Sequence, residues 1–300
     1  MDQSCRRCKL KHGKLLGILL AILIASILIG ISLWDRVKIG EPIYFRYLVE
    51  HYLPTISDSL VSTSTMELMY VQDFTDKREV AEVEFIDHPE LKVTVVSRQA
   101  TDYRFYKVID ATLFLAWDSD AVNPLPEVAE VNWIQVTYSD GSSQKIDIGR
   151  ICIYGGKSDE IKLEAVSAIP LWDSERVQTY QAKDSLIIDG LAQLSKEFLE
   201  MTDLIESYSF EVDGNEVTEF PIEVKADQEI EFRMSLNGFD ANRFIDANSQ
   251  YDYFQIVPQL MYHKESGETY TTDIHNYPVM IWFDNYKEVR NYVKERRLNQ

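Results

Sequence analysis

Lys145–Tyr154 reads KIDIGRICIY, and its alternation decides the fold class. Ile146, Ile148, Arg150, Cys152 and Tyr154 fall on one face at a period of two, and Ile151 and Ile153 fall on the other. Successive side chains point to opposite faces only in a strand, so this run is read as β. Cys152 is then most simply a small buried hydrophobe, since the local sequence supplies no base for a reactive thiol.

The same character extends in both directions. Glu79–Ile86, Leu91–Ser97, Tyr103–Trp117, Val131–Tyr138 and Ile161–Ile169 are rich in β-branched and aromatic residues. Turn-forming stretches at Asp87–Pro89, Asp118–Pro126 and Ser139–Ser143 separate them, and the Asp140-Gly141 step favours a tight hairpin. After residue 208 strands resume at Ser209–Gly214, Glu216–Ala226, Glu229–Gly238, Tyr253–His263, Glu268–Ile274 and Pro278–Phe283. Short strands at near-regular spacing predict a mostly β body of one or two sandwich-like units. Glu223–Leu236, a strand, polar turn and second strand, is a pattern frequent in immunoglobulin-like sandwiches.

Two helices are expected inside this frame. Leu191, Leu194, Phe198, Met201, Ile205 and Tyr208 recur at three- and four-residue spacing, which predicts an amphipathic helix over 190–207. Phe45, Leu48 and Tyr52 follow Pro42 at similar spacing and precede Pro54, so 35–62 is read as a stalk or helix that either rests just outside a membrane or forms the first element of the folded body. The polar, basic end of the chain is a further short helix candidate.

That membrane enters through Leu15–Leu33, LLGILLAILIASILIGISL, which carries no charge and no proline. At about 1.5 Å of rise per residue, nineteen helical residues cover roughly 28 Å, the hydrocarbon thickness of a bilayer. Arg6, Arg7, Lys9, Lys11 and Lys14 precede it, so the positive-inside rule places the N-terminus in the cytoplasm and the body outside. The run is too long for a secretory h-region and lacks a small-x-small cleavage site before Trp34. The expected organisation is a basic head over 1–14, a single transmembrane signal-anchor over 15–34 and the juxtamembrane segment over 35–62. A β-rich domain over 63–189, the helix over 190–207 and a second β-rich unit over 208–300 follow.

Charge narrows the partners. The chain holds 30 basic and 49 acidic residues; setting aside five basic and two acidic residues up to Asp35 leaves 25 against 47, a formal −22. A body so acidic argues against both nucleic acid and anionic lipid as partners, since each needs a basic surface. One exported cysteine, Cys152, permits no intrachain disulfide, so the core alone carries the fold. No Asn-x-Ser/Thr acceptor occurs outside, which fits a bacterial surface protein.

Chemistry-bearing motifs are sparse. Cys5, Cys8 and His12 have zinc-ligand chemistry but make three of the four ligands that a closed site needs. Acylation of the two cysteines and a plain topology signal are the other readings of that head. Asp240, Asn242, Asp246, Asn248 and Asp252 offer oxygen ligands for calcium, yet Tyr251 and Val257 stand where an EF-hand loop needs glycine and glutamate. Tyr251, Tyr253 and Trp282 are candidates for stacking on sugar rings, with core packing as the simpler account. No His-Glu-x-x-His, Gly-x-Ser-x-Gly, Ser-x-x-Lys or phosphate-cradling glycine loop is present. The leading expectation is therefore a non-enzymatic, membrane-anchored binding or scaffolding module, or a subunit of a membrane assembly. It would need no cofactor and would partner another protein or an envelope component. The alternative is a tethered envelope hydrolase that uses paired carboxylates.

Overall fold

The computed structural model describes residues 19–20, 22–27, 30, 38–55, 61–118, 128–157, 163–170, 175–192, 195–196, 205–236, 251–264, 267, 269–273, 277–281 and 283–298. The protein is mostly β, with several sheets and few helices. One four-stranded sheet has the order β1 (Ile43–Tyr44), β3 (Val61–Asp73), β6 (Tyr106–Asp118), β5 (Leu91–Tyr103). A six-stranded sheet runs β19 (Tyr277–Met280), β16 (Tyr253–Ile256), β2 (Tyr47–Thr55), β8 (Ser143–Lys157), β7 (Val128–Tyr138), β4 (Val80–Phe85). A five-stranded sheet follows with β13 (Asn215–Val217), β12 (Ile205–Val212), β15 (Glu229–Leu236), β10 (Glu175–Ala182), β9 (Leu163–Pro170). The last, four-stranded, sheet is β14 (Ile222–Val224), β11 (Leu186–Leu191), β17 (Gln259–His263), β18 (Thr269–Asp273).

Two apolar cores result among the described residues. The first two sheets and helix α1 (Tyr286–Leu298) enclose one; its members include Val49, Tyr70, Leu113, Ile151, Val289 and Tyr292. The other joins Phe232, Leu186 and Leu260 of the last two sheets to Leu48, Cys152 and Phe254. Strands β2, β8 and β16 thus feed both cores.

This placement overturns the helix expected within 35–62. Ile43–Tyr44 and Tyr47–Thr55 are strands, and β2 lies between β16 and β8, parallel to both. Its residues alternate between cores: Tyr47, Val49 and Leu53 face the first, Leu48 the second. Burial on both sides removes the apolar–polar alternation that marks a half-exposed strand, and the three- and four-residue spacing was incidental.

The helix expected over 190–207 is shorter than its spacing implied. Leu191 ends β11 and Ile205–Tyr208 open β12, so those residues belong to strands. Ser195 and Lys196 are helical, and the Lys196 amide donates to the Ala192 carbonyl at 3.1 Å; the remaining interior lies outside the described residues.

The face assignment in β8 also changes. Ile146 and Ile148 share the first core with Ile151 and Ile153, while Cys152 and Tyr154 join the second. The inversion sits at Gly149, whose φ is +90°, where the β7–β8 register shifts between Val131↔Ile151 and Trp133↔Asp147. A Cβ there would lie 2.3 Å from the Tyr47 carbonyl oxygen, so glycine permits the close approach of β2.

Helix α1 begins on a capping box: the Lys287 and Glu288 amides donate to Asn285 Oδ1 at 3.0 and 3.3 Å, and the Asp284 amide donates to Glu288 Oε2 at 2.8 Å. Val289, Tyr292 and Val293 form its buried side. Buried Asp252 holds it in place, accepting from the Arg46 amide at 2.8 Å and the Tyr292 hydroxyl at 3.1 Å and pairing with Arg296.

Near the N-terminus, residues 19–20, 22–27 and 30 are helical, and Leu19, Leu20, Ile22, Leu23, Ile24 and Ile27 are exposed. No helix among the described residues is long and apolar enough to cross a membrane; the rest of Leu15–Leu33 and the head lie outside them.

Candidate functional site

The β3–β4 connection, Phe74–Glu79, builds one wall of a cleft of about 460 Å³; β5 and β6 supply the other through Arg98 and Lys107. The connection is shaped by Asp76, whose Oδ1 accepts from the Arg78 amide at 2.9 Å and whose Oδ2 pairs with that guanidinium at 2.8 Å. Burial works to raise the Asp76 pKa, but the hydrogen bonds and charge of Arg78 bring it below its ordinary value. Arg78 also donates to Glu41 Oε2 and to the Gly40 carbonyl, both at 3.0 Å, and lies 5.1 Å over the Tyr138 ring. The Ile39 amide in turn donates to Asp73 Oδ1 at 3.0 Å. The chain leaving the N-terminal segment is thereby fastened to the cleft rim.

Charge inside the cleft runs opposite to the body as a whole. Lys77, Arg78, Arg98 and Lys107 face two carboxylates, Asp76 and Glu79. Arg98 Nε donates to the Val80 carbonyl at 2.8 Å, which orients the guanidinium without neutralising it. Lys107 Nζ lies 3.5 Å from the Asp76 carbonyl oxygen and 5.4 Å from the centre of the Phe74 ring. Gln72 is 2% exposed, and its Oε1 has no hydrogen-bond partner among the described residues although Nε2 donates to the Asp76 carbonyl at 3.4 Å. A buried amide oxygen in a cleft whose cations outnumber its carboxylates by two fits a ligand bearing both an anionic group and a hydrogen-bond donor.

A second concavity, of about 580 Å³, separates the edge strands β4 and β5. Glu82, Glu84, Lys92 and Lys145 line it, so it carries no excess charge.

Paired acids do occur, on β3 and β6. Glu67 and Asp110 are diagonal neighbours, since Glu67 registers with Thr112 and Met69 with Asp110. Burial, a shared hydrogen bond and repulsion from Glu67 raise Asp110 to about 7. A polar ladder extends outward: Ser97 Oγ donates to Thr112 Oγ1 at 2.9 Å, which donates to Glu67 Oε1 at 3.3 Å. Neither acid lines the cleft, whereas glycoside hydrolysis sets its two carboxyls facing each other across a bound sugar.

The residues singled out by sequence distribute unevenly. Cys5, Cys8 and His12 lie outside the described residues, as do Asp240–Gln250 of the calcium stretch and Trp282. Asp252 closes that stretch but is 3% exposed and paired with Arg296. Among the described residues no group of three or more His, Cys, Asp or Glu side chains is placed to hold a metal ion. Tyr253 is buried against Tyr47, and Tyr251 packs on Phe254, so both serve packing. Cys152 is fully buried and burial pushes its thiol up to about 12, far from a nucleophile's range. Arg78, Arg98 and Gln72 were missed because two strands of one sheet and the β3–β4 connection bring them together from distant points in the sequence. Lys77-Arg78 is flanked by Asp76 and Glu79, so the local sequence shows no surplus of cations to mark the cleft.

No protein-family model and no curated protein matches the chain. Solved structures that share low similarity with it include three of varied description. A protein of unknown function from Porphyromonas gingivalis W83 is 9% identical, with 78% of this chain and 98% of that one covered at a TM-score of 0.24. A structure described as manganese lipoxygenase of Gaeumannomyces graminis and partial zonadhesin of Komagataella pastoris is 9% identical, covering 81% and 94% at 0.20. Fibronectin(III)-like modules of Clostridium thermocellum CbhA are 12% identical, covering 82% and 96% at 0.19. Similarity at this level carries no functional argument.

Proposed function

We propose that this chain is a membrane-anchored binding module: a single-pass signal-anchor with a cytoplasmic N-terminus and a sandwich-like extracytoplasmic body. Its ligand is an envelope component or partner protein that presents a carboxylate or phosphate. The observation that carries this reading is the cation-lined cleft at Arg98 and Gln72 in a body of formal charge −22. A ligand held there exchanges bulk water for charge-assisted hydrogen bonds, which are the stronger kind. The hydrolase alternative is weaker because Glu67 and Asp110, diagonal neighbours on adjacent strands, do not line the cleft in which a substrate would sit.

The test uses the full chain in detergent micelles, incubated with cell-envelope extract and recovered by affinity. An anionic component should co-purify, be released at about 1 M salt, where screening falls to roughly 3 Å, and be lost from Arg98→Glu and from the surface variant Lys77→Glu. Release of soluble glycan or peptide fragments from the envelope would overturn the reading, as would retention unaltered by both variants.

A further inference from the structure

The basic residues of α1 are not scattered. Lys287, Arg290, Lys294 and Arg297 recur at three- and four-residue spacing and are all exposed, opposite the buried Val289, Tyr292 and Val293. Four cations therefore form one helix face, away from the core. The stripe continues onto the neighbouring β5–β6 turn: exposed Arg104 lies 4.7 Å over the Phe105 ring and 5.7 Å over that of Tyr286, the first residue of α1. Tyr286 stacks on Tyr106 at 5.9 Å, and Tyr106 registers with Asp73, the acceptor for the Ile39 amide. Phe74, 43% exposed, sits at this same end, its amide donating to the Phe105 carbonyl at 2.8 Å. The cationic end of an acidic body is thus the end at which the chain arrives from its apolar N-terminal segment.

We propose that this face, the α1 stripe with Arg104 and Phe74, rests on anionic phospholipid headgroups of the membrane that holds the N-terminal span. The inference rests on the tether advanced under Proposed function. Leu33 and Lys38 are separated by at most about 18 Å of extended chain, so this end of the body cannot travel far from the lipid surface. An anionic leaflet attracts Lys and Arg within a Debye length, about 8–10 Å, and repels the carboxylate-rich remainder. Both effects turn the same end downward. Phe74 supplies the interfacial aromatic that such a surface accommodates.

Full-length chain reconstituted in nanodiscs of phosphatidylcholine, with or without about one-third phosphatidylglycerol, is treated briefly with an amine-acetylating reagent and read by mass spectrometry. Anionic discs should protect Lys287 and Lys294 several-fold while leaving exposed Lys225 unchanged, and high salt should abolish the protection. Arg290→Glu/Arg297→Glu should lose the protection with thermal stability intact. Insertion with equal labelling in both discs overturns the docking alone; failure to insert overturns the tether and the docking with it. Equal protection in neutral discs on adding soluble glycerol phosphate would also overturn it, reassigning the stripe to free phosphate.

Discussion

Gly149 concentrates the most consequential backbone chemistry in a single residue. Its left-handed φ and the 2.3 Å approach of the Tyr47 carbonyl to any Cβ act together, so Gly149→Ala must both strain the chain and part β2 from β8. The expected cost is about 3 kcal/mol or more, read from the midpoint of urea unfolding. Asp110 and His51 give the molecule opposed pH dependences. Asp110 is raised to about 7, so the folded state holds its proton more tightly than the unfolded chain; that contribution is full below about pH 4 and is lost as pH climbs to 7. His51, lowered to about 4 by burial, works in reverse: its contribution is full above about 6.5 and is lost as pH falls through 4. Between pH 4 and 7 these slopes offset each other, so relative to the parent stability should tilt upward with pH in Asp110→Asn and downward in His51→Phe. A parallel shift of the whole curve in both variants would contradict the assignment.

At the scale of elements, β2 and α1 show how context overrides local pattern. The β2 run looks helical by spacing and is a central parallel strand because both of its faces find apolar partners. Leu48→Ala and Val49→Ala, adjacent in sequence, should each cost about 2–4 kcal/mol, or somewhat less for valine, yet loosen different cores. Hydrogen exchange would locate the first loss in β11, β15 and β17 and the second in β3 and β6. Helix α1 depends on Asp252, whose removal leaves the Arg296 guanidinium without its buried partner. Asp252→Ala is expected to destabilise by about 3–5 kcal/mol and to release α1 protection before that of the sheets. Exchange of α1 amides unchanged from the parent would refute that coupling.

For the whole molecule, the chain's path matters more than its local signals. β16 and α1 come late in sequence and complete the first core, where Tyr253, Val289 and Tyr292 are buried. A chain ending at residue 207 lacks them and exposes one edge of β2. It should show no cooperative unfolding transition and no near-ultraviolet signature of ordered tyrosines. A sharp transition from that fragment would mean the two cores are separable after all.

Sequence alone determined that the molecule is mostly β, since period-two alternation and turn residues at Asp140-Gly141 and Asp213-Gly214 are local properties that each segment carries by itself. It also determined the sign of the charge and the lack of familiar catalytic motifs. Only the tertiary structure decided that Tyr47–Thr55 is a strand, that β8 changes face at Gly149, and that α1 closes the first core. It alone brought Gln72, Arg78, Arg98 and Lys107 to one cleft. Those outcomes depend on which surfaces meet across long sequence separations, and the free energy that selects them is burial shared between segments, a quantity absent from either segment taken singly.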